Sequence, residues 1–214
     1  MKAITRQKAL AEIERLLESE TKVFLVGCGT CATMCHTGGK AEVEEMERTL
    51  KGAGKTVTGS VVIPTACDSL DRQALEENAV AVGEADCILV MACAFGVQTL
   101  AALTEKRVYP ALDTLFMGQE VSPNVFSEVC VQCGDCVIGW TGGICPIIAC
   151  PKGLINGPCG GAKNGKCEVS NSKDCAWGVI YERLRKQGRL ENMRKRRPLK
   201  NFAASAKPGA YVVE

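Results

Sequence analysis

Fourteen cysteines against a single histidine, His36, in 214 residues constrain this chain more than any other feature. A secreted chain this rich in thiols would pair them, whereas one kept in a reducing compartment holds them for metal. The first residues, MKAITRQKALAEIERLLE, lack the apolar centre of a secretion signal. Their pattern predicts an amphipathic helix over residues 6–20, with Ala9, Leu10, Ile13, Leu16 and Leu17 on one side. No run approaches the ~18 to 20 apolar residues of a membrane span. The expectation is a cytoplasmic protein without membrane insertion, its metal sites built almost wholly of thiolate. Ligands of that kind select zinc or iron–sulfur clusters.

The cysteines fall in two settings. Through residue 122, short apolar runs alternate with helical stretches. Val23 to Val26 (ending in Gly27-Cys28-Gly29), Thr56 to Ile63, Cys87 to Met91 and Val108 to Leu112 read as strands. Glu42 to Lys51, Asp71 to Ala79 with a cap at Ser69, and Phe95 to Leu103 read as helices. Such alternation predicts a small open parallel sheet with flanking helices, an α/β domain over residues 1–122. Residues 123–180 differ. Eight cysteines lie between 130 and 175 among many glycines and prolines, with almost no periodic apolar face. A segment that buries so little carbon needs metal to hold it together, so it is read as a cysteine-rich, loop-rich cluster module. Helical spacing returns from Ala176 to about Met193 on Trp177, Ile180 and Leu184, and residues 181–214 form a basic helix and tail.

That tail holds nine Lys or Arg between Arg183 and Lys200, opposed by Glu191 alone, although the whole chain carries a formal charge of only +2. With aromatics at 5% and none interleaved with the cations, nucleic acid is not the expected partner. The tail reads instead as a docking segment for an acidic protein surface or as a solvated helix.

Cys28, Cys31 and Cys35 follow the first strand directly, where ligands of open α/β sheets gather. A cubane needs a fourth thiolate, for which Cys93, at the turn from the third strand into a helix, is preferred over Cys67. Cys87 falls inside a strand and reads as a small buried hydrophobe. Gly27-x-Gly29-x-x-Ala32 is a fragment of a dinucleotide fingerprint, but no acidic residue ends the second strand, so the cluster reading is preferred. Cys130-x2-Cys133-x2-Cys136 matches the first three ligands of bacterial ferredoxins, whose fourth comes from a distant Cys-Pro; Cys145-Pro146 and Cys150-Pro151 both supply one. With Cys159, Cys167 and Cys175 the eight thiolates fill two four-ligand sites whose partition stays open. Zinc is the alternative at one of these sites, since four thiolates around zinc make a structural centre.

The strings GCGTCATMCHTGG and ACAFGVQT, and above all TGGICPIIACPKGLINGPCGGAKNGKCEV with its later CAW, resemble the small iron–sulfur subunit of acetogen-type methylenetetrahydrofolate reductase, the methylenetetrahydrofolate reductase C-terminal domain family. The likeness spans roughly residues 20 to 190. It implies two or three 4Fe-4S clusters held by Cys28, Cys31, Cys35 and Cys93 and by Cys130, Cys133, Cys136, Cys145, Cys150, Cys159, Cys167 and Cys175. It implies electron transfer to a flavin-containing catalytic partner that reduces methylene- to methyltetrahydrofolate in one-carbon metabolism, with an upstream electron-donor module. The chain itself shows no triad, carboxylate pair or phosphate loop.

Overall fold

The longest apolar runs become the strands of one parallel sheet. The computed structural model describes residues 2–210. The chain opens with β1 (Lys2–Gln7), α1 (Leu10–Leu16) and β2 (Lys22–Cys28). Then come α2 (Cys31–Met34), α3 (Lys40–Gly52), β3 (Thr56–Ile63), α4 (Leu70–Glu77), α5 (Ala79–Glu84), β4 (Cys87–Met91), α6 (Ala94–Leu103) and β5 (Arg107–Pro110). Strands β3, β2, β4 and β5 lie side by side in that order, all parallel. The central pair, KVFLVGC and CILVM, is buried along its whole length apart from Lys22, as strands covered on both faces must be. Helix α3 turns Val43, Met46 and Leu50 inward, and the Glu42 carboxylate reaches back to accept from the Gly39 N–H at 2.9 Å. The expected α/β architecture is therefore present.

The amino terminus departs from expectation. Residues 2–7 form a strand, not the start of a helix, and α1 covers only Leu10–Leu16. Strand β1 pairs antiparallel with β6 (Leu112–Ser122), and β7 (Val125–Glu128) completes a three-stranded sheet in the order β1-β6-β7. Ala3, Ile4 and Thr5 are buried there, and the Thr5 and Thr37 hydroxyls share a hydrogen bond of 2.7 Å. The partner of β1 lies more than a hundred residues away, so local periodicity carries no trace of the pairing.

The chain divides into two compact units, the first ending at Phe126 and the second beginning at Ser127. The second unit has short elements: α7 (Pro146–Ala149), β8 (Lys166–Cys167), β9 (Ser170–Asp174), α8 (Ala176–Lys186) and three 3-10 turns at Ile138–Trp140, Leu190–Met193 and Phe202–Ser205. Its buried apolar cluster consists of Trp177, Ile180 and Leu184, with Ile144, Leu154, Cys175, Leu190 and Met193 packed against them. Among the described residues no helix is long and apolar enough to cross a membrane.

Candidate metal centres

In the parallel sheet the succession of strands reverses between β2 and β4, and the crevice at their carboxyl ends is the place where such sheets hold ligands. Cys28 is the last residue of β2, Cys31 opens α2 and Cys35 follows it. Cys93 links β4 to α6, and Cys67 lies in the loop after β3. Three local devices draw these loops together. The Thr30 hydroxyl donates to the Pro64 carbonyl at 2.6 Å and sits 3.0 Å from the Thr65 hydroxyl, tying the first motif to the loop after β3. A Cβ on Gly38 would collide with the Met91 carbonyl, so only glycine lets this segment close on the end of β4. A Cβ on Gly96 would likewise strike the Ala66 carbonyl, and its absence seats α6 against the residue before Cys67.

The thiols consequently act on one another. Burial pushes the Cys67 thiol up, and the neighbouring Cys93, Cys28 and Cys31 raise it further. Burial also raises Cys31; the Ala3 backbone N–H opposes this, while Cys93, Cys28 and Cys35 reinforce it. Electrostatic crowding of this kind is relieved when a bound metal takes the thiolate form. Both Cys93 and Cys67 thus stand beside the Cys28–Cys35 segment. Cys87 lies inside β4, fully buried, with its thiol pushed up to about 12 by burial. Helix α2 is a single turn, too short to serve as the phosphate-binding helix of a dinucleotide fold.

In the second unit Cys150, Cys159, Cys167 and Cys175 line one small cavity of about 20 Å³, closed by Pro158 and Trp177. Local geometry explains each position. Cys150 ends α7, Cys175 precedes α8, and Cys167 sits on the β8–β9 hairpin. The Gly161 N–H donates to the Cys159 sulfur at 3.4 Å, and the Cys159 thiol faces Glu168 Oε1 at 3.5 Å. Lys152 pairs with Glu168 at the same rim. The indole N–H of Trp177 donates to the Leu154 carbonyl at 2.9 Å, fixing the ring against the cavity wall.

Cys130, Cys133 and Cys136 lie on an irregular loop, with Gln132 at φ 49° and Gly134 at φ 74°. These left-handed residues turn backbone donors toward sulfur, and the Gln132 N–H reaches the Cys130 sulfur at 3.4 Å. Cys145 stands immediately before α7, on the opposite end of that helix from Cys150. Among the described residues no three His, Cys, Asp or Glu side chains form a ready grip for one ion. The donor set nonetheless suits a thiophilic metal centre: all sulfur, with N–H groups aimed at two of the sulfurs.

The basic segment turns several of its cations onto this unit's own loops. Arg189 donates to the Gly139 carbonyl at 2.9 Å, and Arg197 donates to that of Ile155 at 2.9 Å. Lys195 and Arg197 lie 5.8 and 6.0 Å from the centre of the Trp140 ring. Lys200 meets Asp135, between Cys133 and Cys136. Sequence reasoning missed these contacts, as it missed Thr30, Lys152 and Glu168, because none of them belongs to a spaced motif.

Residues 109–203 match the protein family described as methylene-tetrahydrofolate reductase C terminal. The match takes in every cysteine from Cys130 to Cys175 and leaves Cys28, Cys31, Cys35, Cys67, Cys87 and Cys93 outside it. This part of the chain is similar to methylenetetrahydrofolate reductase C-terminal domains. No curated protein and no solved structure matches the chain.

Proposed function

We propose that the chain is an iron–sulfur electron-transfer subunit serving a flavin-containing methylenetetrahydrofolate reductase. What supports the reading most is the gathering of Cys28, Cys31, Cys35, Cys67 and Cys93 at the strand-order reversal of a rigid sheet. Five thiols gathered at the carboxyl ends of the strands suit a carrier of electrons. When bound, clusters would supply one-electron transfer between an upstream donor module and the flavin of the partner. Cys28, Cys31, Cys35 and Cys93 would hold one cluster, with Cys67 as the alternative fourth ligand. Cys130, Cys133, Cys136 and Cys145 would hold a second. The similarity of residues 109–203 to reductase C-terminal domains supports the choice of partner.

The remaining four, Cys150, Cys159, Cys167 and Cys175, admit a second reading. All four line one small cavity, and four thiolates gathered in this way also suit a structural zinc centre in place of a third cluster.

The test is a count of iron, acid-labile sulfide and zinc on anaerobically prepared protein, with EPR before and after reduction by dithionite. The expected result is brown protein with iron and sulfide in equal amounts and an absorption near roughly 400 nm that bleaches on reduction. Colourless protein holding zinc alone would overturn it. In that event replacing Cys28 or Cys133 would leave the partner's activity intact wherever folding survives.

A further inference from the structure

Within the basic segment the Lys200 side chain is withdrawn from solvent, only 2% exposed. An ammonium withdrawn from water is unfavourable unless negative charge lies close by. The carboxylate it meets is a poor match: Asp135 Oδ2 stands 3.8 Å away, is 44% exposed, and also accepts the Asn201 N–H at 3.1 Å. The ammonium donates instead to the Asp135 backbone carbonyl. That same oxygen faces the Cys133 thiol at 4.0 Å, so lysine and cysteine meet at one shared atom. The contact is built rather than incidental. Gly134, at φ 74°, leaves the space that the Ala204 backbone fills, and a Cβ there would lie 2.7 Å from Ala204. The Asn201 side chain accepts from the Ala203 N–H at 3.0 Å and fixes the turn that follows Lys200.

We propose that Lys200 sets the reduction potential of the centre held by Cys130, Cys133 and Cys136, a role resting on the iron–sulfur reading above. A thiolate-ligated cluster is anionic and gains a further negative charge on reduction, so a fixed cation beside Cys133 stabilises the reduced form. The basic tail then contributes to the redox centre of its own unit, and Asp135 partly offsets the lysine.

The experiment is an anaerobic potentiometric titration of the full chain, followed by EPR, on wild type, Lys200→Met, Lys200→Arg and Asp135→Asn. The expected result is that Lys200→Met moves one signal to lower potential, by about tenfold in the reduction equilibrium or ~59 mV for one electron. Lys200→Arg restores it, Asp135→Asn moves the same signal upward, and every other signal stays in place. Unmoved potentials at undiminished iron content would overturn the proposal and leave the iron–sulfur reading standing. Should Lys200→Met lose its iron, Asp135→Asn decides: an upward shift supports the role and no shift ends it. Wild-type protein without iron or sulfide would sink both readings together.

Discussion

In the amino-terminal unit the thiols are mounted on a finished sheet; in the carboxyl-terminal unit they hang on loops with little beneath them. Among the described residues, the first unit's core runs from Ile13 to Leu112 and is filled by Phe24, Leu25, Ile88, Leu89 and their neighbours. Each fully buried side chain of that size contributes roughly 1.5–3 kcal/mol. The second unit buries Trp177, Ile180 and Leu184 and little else. The contrast teaches that one residue type can serve two purposes in one chain. Cys28 and Cys93 are buried at the edge of a core filled by other side chains, whereas Cys150, Cys159, Cys167 and Cys175 gather around a small cavity in a unit with little core of its own.

Removing metal breaks the comparison most directly. On the metal-centre reading proposed above, anaerobic chelation should unfold the second unit and spare the first, because metal binding to thiolate sites of this kind contributes on the order of 10 kcal/mol to folding. Hydrogen exchange reads it: protection lost across residues 130–175 and retained in β2 and β4. Equal loss in both units would erase the distinction drawn between them.

A smaller effect concerns pH. Asp71 is fully buried, neither of its oxygens has a hydrogen-bond partner, and burial, followed by the nearby Asp68 charge, raises its carboxyl to about 6. A carboxyl raised on folding stabilises the protein while protonated and loses that advantage as pH climbs from about 4 through 6. The first unit should lose up to about 3 kcal/mol across that window. In Asp71→Asn the slope disappears. Denaturant midpoints from pH 4 to 8 provide the measurement, and a wild-type curve flat over this range would show that the carboxyl is not held protonated.

Gly38→Ala sharpens the comparison at a third level. The new methyl meets the Met91 carbonyl, so the first unit should lose about 2 kcal/mol while the content of any metal in the second stays unchanged. Iron content and thermal midpoint together separate these outcomes. The smallest effect belongs to Trp177→Phe, which deletes the indole bond to Leu154 and should cost about 1 kcal/mol, confined to the second unit. A loss detected in the exchange of β2 would contradict that confinement.

How much of this was legible follows the same division. Strands β3 and β4 stand where the apolar runs place them, since Thr56–Ile63 and Cys87–Met91 are contiguous and bounded by Pro64 and Cys93. The cysteine crevice was legible because motif and strand end coincide at Cys28. The approach of Cys67 was only half legible: it depends on Thr30, Gly38 and Gly96, residues whose significance lies in what they touch. Strand β1 was misread because Ala9, Leu10 and Ile13 begin a genuine helical period, and the expected helix was extended back from it over residues 6–8. Ser69 was expected to cap α4, yet its hydroxyl bonds to Asp68 instead. The grouping of Cys150, Cys159, Cys167 and Cys175 could not be read at all, because loop-rich chain has no period from which to infer which side chains meet.

The antiparallel pairing of β1 with β6 bears on how the molecule is made. A nascent chain releases residues 2–7 first, but their partners at 112–118 emerge only after the whole parallel sheet has left the ribosome. Ala3, whose amide lies beside Cys31, takes its seat only once Met117 is available to pair with it. The crevice is therefore complete only once synthesis has passed β6, well beyond Cys93, so whatever occupies it meets a folded unit rather than a growing sheet.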